Sequence, residues 1–317
     1  MKSNIILKGA LLCLIASMAW GAMFPVAESA FAFIDPFYFS VIRYVLVSII
    51  LFVLLWVKEG KKALRLEGRG LPLWFFGTMA FTVYNLLVFT GQNQLGASGV
   101  ILASVMEALM PMISVLLLWI FNQNRPKPIT VGCMGIALVG CFLVATKGDF
   151  QSFLLGGNAL FPVLLIFAGV LGWVIYTIGG DQFSHWSPLR YSTLSCLLGT
   201  ATSVIVVFFL TLFGFLDVPS ISALGAIAPE MSFMVVIAGV IALLSWNAGI
   251  KILQPINGIL FINFVPVTTF AISLMQGYEM TMYDIVGTLF IMLALISNNL
   301  YQRRTAKIKV PVKAHAH

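Results

Sequence analysis

Glu107 stands near the middle of residues 96–121, GASGVILASVMEALMPMISVLLLWIF, a run that carries no other charge and is long enough to cross a bilayer. An acid at that depth costs roughly 2.5–3.5 kcal/mol on insertion scales, so it is expected to face protein or water rather than lipid. The chemistry open to it is electrostatic: binding a cationic group of a substrate, or taking up and releasing a proton. On a wheel of 100° per residue, Glu107 shares its face with Gly96, Gly99, Ala103, Ser104, Pro111 and Ser114, while Leu102, Val105, Leu109 and Leu116 fall opposite, where lipid is expected. Pro111 offers no N–H to the carbonyl four residues back, which is that of Glu107 itself. Unsatisfied backbone at membrane depth is tolerated only against protein or a wet cavity, so this helix is expected to line one. The bland alternative is a neutral carboxyl bonded to a neighbouring helix.

Two further charges, Glu28 and Arg43, lie in the first and second apolar runs, near the turn that joins them. On adjacent antiparallel helices they are expected to meet as a neutralising ion pair, able to serve as an outer gate. Trp20, Trp173, Tyr176 and Trp246 lie within apolar runs, mostly away from their ends, and are candidates for cavity walls that stack on rings or hold cations, with core packing as the alternative. Asn85, Asn247, Asn257 and Asn263 are suited to bonds between helices, and Asn85 and Asn263 join the candidate substrate-binding set. Asn263 precedes Pro266 much as Glu107 precedes Pro111, and Pro25, Pro111 and Pro266 are the expected helix breaks.

Enzymatic chemistry is poorly provided for. Gly96-Ala97-Ser98-Gly99 spells the G-x-S-G of an intramembrane serine protease, but His185 falls in a loop and His315 and His317 in the tail, so no histidine in a span activates Ser98. Gly180-Asp181 and Tyr283-Asp284 spell fragments of an aspartyl protease and fall on opposite membrane faces in the topology below. Cys13, Cys133, Cys141 and Cys196 all sit in apolar runs and predict buried thiols rather than disulfides. Without a Gly-rich phosphate loop or a Cys/His cluster, no metal and no cofactor are expected.

The elements that position these residues follow from hydropathy. A chain of 317 residues with 60% hydrophobic and 9% charged residues and a mean hydropathy of +1.02 belongs in a membrane. Ten candidate helices cover residues 9–32, 36–57, 71–91, 97–121, 129–146, 156–178, 187–215, 231–250, 255–275 and 281–301. The net charge of +7 is a topology signal rather than a nucleic-acid footprint. With the N-terminus in the cytoplasm, 16 of the 18 basic residues fall on inner segments, Lys147 falls outside and Arg43 within a helix. Both termini are therefore expected in the cytoplasm.

The chain also repeats itself. Trp20, Glu28 and Pro36 are echoed by Trp173, Asp181 and Pro188, Pro111 by Pro266, and Gly135 by Gly287, at offsets near 152–155 residues. Five helices written twice predict an all-α integral membrane protein of two inverted halves, residues 1–147 and 148–302, followed by a basic cytoplasmic tail, 303–317.

Several of these residues carry a family likeness. Trp20-Gly21, Asp35-Pro36 with Arg43 seven residues on, Leu95-Gly96-Ala97-Ser98, Pro111 and its repeat at Pro266 resemble the EamA-type transporters of the drug/metabolite transporter superfamily. The resemblance implies ten helices in two inverted repeats, a central cavity walled mainly by helices one, three, four, six, eight and nine, and helices five and ten at the periphery. The chain departs from the family at Glu28, where a basic residue is common. It departs again at Asn122-Gln123-Asn124 and Gly277-Tyr278-Glu279, where a Gly-Glu pair is common.

The expectation is a transporter, not an enzyme, placed in the cytoplasmic (inner) membrane as a monomer or homodimer. It would move small organic molecules such as amino acids, metabolites or drugs, with export as the expected direction, by alternating access around a midplane cavity, with protons as the candidate coupling ion. An uncoupled facilitator or channel for small solutes is the alternative, and an intramembrane hydrolase a distant third.

Overall fold

The computed structural model describes residues 2–122, 125, 127–148, 160–253 and 258–308. Asn257, Gln123, Asn124, His315, His317 and residues 156–159, where the sixth helix is expected to begin, lie outside the described residues.

All secondary structure among the described residues is helical. In chain order the principal helices are α1 (Lys2–Phe31), α2 (Pro36–Glu59), α3 (Gly70–Leu95), α4 in two pieces (Ala97–Glu107 and Met110–Asn122), α5 (Pro128–Thr146), α6 (Leu160–Gly179), α7 (Pro188–Leu212), α8 (Ala228–Leu253), α9 (Ile259–Met275) and α10 (Met282–Ile308). Among the described residues seven helices are long and apolar enough to cross a membrane, and α4 makes an eighth when its bent pieces count as one span. The apolar stretches of α9 and α10, Ile259–Met275 and Met282–Asn298, are shorter.

Local chemistry sets several boundaries. Asp35 accepts from the Phe37 N–H at 2.7 Å and Ser187 from the Arg190 N–H at 2.9 Å, each just before a proline at the first helical position. The Asp-Pro and Ser-Pro pairs thus start α2 and α7 by the same device. Gly96, at φ +58°, turns α3 back into α4.

Helices α1, α3, α4, α6, α8 and α9 pack on one another as a central body, α2 pairs with α7, and α5 pairs with α10 beside α4. Close crossings rest on glycine. A Cβ at Gly140 of α5 would lie 2.5 Å from the Gly287 carbonyl oxygen of α10, and one at Gly287 would lie 2.6 Å from that of Gly140. Gly140→Val is therefore expected to push the α5–α10 pair apart and lower the melting temperature in detergent, whereas Gly135→Val, with nothing within 4 Å of its Cβ, leaves it unchanged.

The leucines opposite Glu107 correct the wheel. Leu102, Val105 and Leu109 are 1%, 0% and 5% exposed, so this stretch of α4 is buried all round rather than half in lipid. This piece of α4 is enclosed by α5 and α10 as well as by α1, α3, α6 and α9. The exposed apolar residues lie further out, at Ile136, Leu138 and Val139 of α5 and Leu289 and Leu293 of α10.

Two helices also widen in mid-course. In α3 residues Met79–Tyr84, and in α8 residues Val236–Ile241, form π turns, with i→i+5 hydrogen bonds in place of i→i+4. They begin 157 residues apart, close to the offset of the sequence repeat.

Candidate functional site

The site is built around the break in α4. Its two pieces meet at an angle of 49°, with Glu107 the last residue of the first. Pro111 accounts for the bend, since it supplies no N–H to the Glu107 carbonyl and its ring crowds the preceding turn. The Glu107 side chain is 3% exposed. Its Oε1 accepts from the Tyr84 hydroxyl, while its Oε2 is buried with no hydrogen-bond partner among the described residues.

Tyr84 is the last residue of the π turn in α3. Its ring centroid lies 5.2 Å from that of Trp173 on α6, and Trp173 lies 5.3 Å from both Trp20 on α1 and Tyr176. Trp20 in turn meets Trp246 of α8 at 5.2 Å. The four aromatic residues singled out in the sequence thus form one continuous wall, joined through Tyr84 to Glu107. Glycines let α6 come this close: a Cβ at Gly172 would lie 2.7 Å from the Met79 carbonyl oxygen, and one at Gly169 would lie 3.0 Å from that of Tyr84. Tyr84 belongs to no motif in the sequence, yet its spacing carries a signal. It lies twelve residues before Gly96 and Glu107 eleven after, so a hairpin folded at that glycine sets them level.

The remaining candidates take other places. Asn85 is fully buried and its Nδ2 donates to the Ala80 carbonyl inside the π turn at 2.8 Å. Asn263 stands where the opening 3-10 turn of α9 passes into α-helix, its Oδ1 buried and without a partner among the described residues. Pro25 leaves the Gly21 carbonyl free within α1, and Thr269 of α9 donates to it at 2.7 Å. Pro266 lies in the first turn of the α-helical part of α9.

The expected ion pair does not form. Among the described residues the ion pairs are those of Glu67 with Arg190 and His185, and Glu28 accepts instead from Gln92 Nε2 at 3.2 Å. Depth explains the failure. Arg43 lies eight residues beyond Asp35, about 12 Å along α2, whereas Glu28 is only about 5 Å from the end of α1. The guanidinium therefore passes beneath Glu28 and donates from Nε to the Met234 carbonyl at 3.0 Å, from Nη2 to the Ala238 carbonyl at 3.2 Å and from Nη1 to Met23 Sδ at 3.2 Å.

Cavities flank this centre on both sides. One of about 140 Å³ is lined by Trp246, Asn247, Tyr191, Asp181 and Lys251, at the end expected to face the cytoplasm. Another of about 380 Å³, lined by Glu28, Val100, Tyr278 and Glu279, opens at the opposite end. Trp246 forms part of the first cavity and touches Trp20 behind it.

A clasp ties Trp186 and Ser187, which line the smaller cavity, to the end of α2 and the loop after it. Glu67, in the α2–α3 loop, accepts from Arg190 at 2.8 Å and from the Trp186 indole at 2.9 Å, and Ser187 donates to Glu59 at 2.6 Å. The hydrogen bonds from Arg190 and then Trp186 hold the Glu67 carboxyl below its ordinary value of 4.5. A depressed carboxylate contributes its stabilisation above the unfolded value and loses it as pH falls through the folded one. The clasp is thus expected to hold across neutral pH and release only in acid below about 4.5, while Glu67→Gln loosens it at neutral pH. Amide exchange over residues 180–190 reports both changes.

An all-helical membrane body with a buried carboxylate, aromatic residues from α1, α3, α6 and α8 around it, and a cavity on either side defines a multi-pass membrane protein with a polar centre. The chain belongs to the EamA-like transporter family, whose model matches it twice, over residues 7–146 and 160–300. It is 54% identical over 304 residues to the uncharacterized transporter YrdR of Bacillus subtilis (strain 168), covering 96% of this chain and 95% of that one. It is 26% identical to the uncharacterized transporter YyaM of the same organism, covering 89% and 90%. A solved structure at 19% identity shares the fold, with a TM-score of 0.64 over 94% of this chain and 98% of its own.

Proposed function

We propose that this protein is a secondary transporter of small organic molecules, such as amino acids, metabolites or drugs, working by alternating access in the cytoplasmic membrane. The observation that carries the reading is Glu107: a carboxylate at a helix break, one oxygen held by Tyr84, the other unpartnered, with a wall of tryptophans beyond the tyrosine. In this reading Oε2 is the atom offered to a cationic group or a proton, and the indoles take the apolar or aromatic part of the cargo. Ten spans are counted by taking α4 as one bent span and α9 and α10 as short ones. The two matched halves are then inverted, with both termini and the basic segments in the cytoplasm. Flanking cavities separated by a packed aromatic layer suit a site that opens to one side at a time.

The test has two stages. A thermal-shift screen of amino acids, nucleobases and organic cations on purified protein identifies a ligand by its stabilisation of the folded state. Counterflow of that ligand is then followed in proteoliposomes with and without a pH gradient. A proton-coupled transporter shows counterflow and responds to the gradient; counterflow indifferent to the gradient would make the protein an uncoupled facilitator, and flux without counterflow a channel.

A further inference from the structure

Arg43 is fully buried in α2 and takes part in no ion pair among the described residues. A cation at membrane depth that rests on neutral acceptors is a costly arrangement, and such groups ordinarily pair or serve a site. Besides Met23 Sδ on α1 and the Tyr44 ring, 4.7 Å from its guanidinium carbon, Arg43 holds one stretch of α8. Met234 and Ala238 lie one turn apart where the helix passes into its π turn, and the planar guanidinium reaches both carbonyls at once through Nε and Nη2. The indole N–H of Trp20 donates to the same Ala238 oxygen at 3.0 Å. A carbonyl oxygen has two lone pairs, and here one is used by α1 and the other by α2. In the π turn of α3 a carbonyl, that of Ala80, accepts instead from Asn85 of the same helix.

We propose that Arg43 is a positioning residue of the transport site: by fixing the Ala238 carbonyl at the π turn of α8, it sets where the Trp20 indole stands against Trp173 and Trp246. The proposal rests on the preceding reading only in taking those tryptophans as the wall of the site. Its reach is specific to arginine. Lysine keeps the charge but has no fork to span two carbonyls, and glutamine keeps one donor group and loses the charge.

Two readouts on the full-length purified protein test this without any substrate: the far-UV exciton signal of the packed indoles, and amide exchange over residues 234–243. Trp20→Phe, which keeps a ring but removes the indole, defines how much of the exciton signal depends on Trp20. Arg43→Gln is expected to lose most of that same portion with helix content unchanged, and to speed exchange over 234–243 about tenfold. Arg43→Lys falls between it and wild type, and the Trp20→Phe/Arg43→Gln double variant loses no more exciton signal than Trp20→Phe alone. A full exciton signal with wild-type exchange in Arg43→Gln overturns the proposal, as does a double variant in which the two losses add. If Arg43→Gln does not fold, a wild-type exciton signal in folded Arg43→Lys overturns it instead. Because neither readout involves transport, failure here and failure of the Glu107 reading are separately visible.

Discussion

Glu107→Gln is expected to lower gradient-driven transport at least about tenfold while leaving the protein as stable as wild type or more so. The two effects run in opposite directions for one physical reason. A buried carboxylate is retained against its desolvation cost, and the amide removes that cost while still accepting from Tyr84 through its oxygen. Its NH2 takes the place of an Oε2 that has no partner in the wild type, so no native bond is broken. Transport at wild-type level across pH, measured in proteoliposomes with the ligand found by thermal shift, would sink the coupling role. Tyr84→Phe has the converse signature. It strips the remaining hydrogen bond from a carboxylate that is already half unsatisfied, and is expected to cost about 1–3 kcal/mol in stability. A Tyr84→Phe protein that melts with wild type would show that the hydroxyl contact carries no weight.

Gly21→Ala is the second substitution with a large expected effect. A Cβ at this position of α1 would lie 2.5 Å from the Val265 carbonyl oxygen and 2.6 Å from Thr268 Cβ, both on α9. Neither is the far end of a flexible side chain, so α1 and α9 must separate, at about 1–3 kcal/mol for overpacking. The consequence extends beyond stability. The Gly21 carbonyl accepts from Thr269, and the preceding residue is Trp20, so a shift of α1 weakens the α9 bond and moves an indole of the aromatic wall. Gly21→Ala is thus expected both to lower the melting temperature and to raise KM for a transported ligand, whereas Thr269→Val removes the hydroxyl's bonds to the Gly21 and Val265 carbonyls without wedging the helices apart and changes KM less. Equal KM values in Gly21→Ala and wild type would confine the glycine to packing.

Much of the arrangement could be read from residue types. An uninterrupted apolar run can only be a helix, and an acid in its middle must turn inward, as Glu107 does at 3% exposure. Tryptophans placed away from span ends come together for the same reason, having no interface to occupy. What could not be read were features set between helices. Two of the three hydrogen-bond acceptors of Arg43 are backbone carbonyls on α8, and carbonyls have no letter in a sequence. The π turns of α3 and α8 likewise carry no residue signature, and the side chains that bond to the α8 turn come from α1 and α2. The wheel of α4 misled because burial of its leucine face depends on neighbouring helices whose positions are decided elsewhere in the chain.

Cys13, Cys133, Cys141 and Cys196 are all free and all buried. The native protein should therefore be nearly silent toward water-soluble maleimides. A single cysteine placed at Ser184, on the wall of the smaller cavity, or at Gln276, on the wall of the larger, could be labelled in an otherwise unaltered chain. The labelling rates from either side of a vesicle would then read the orientation of the chain in the membrane and, with ligand added, which mouth is open.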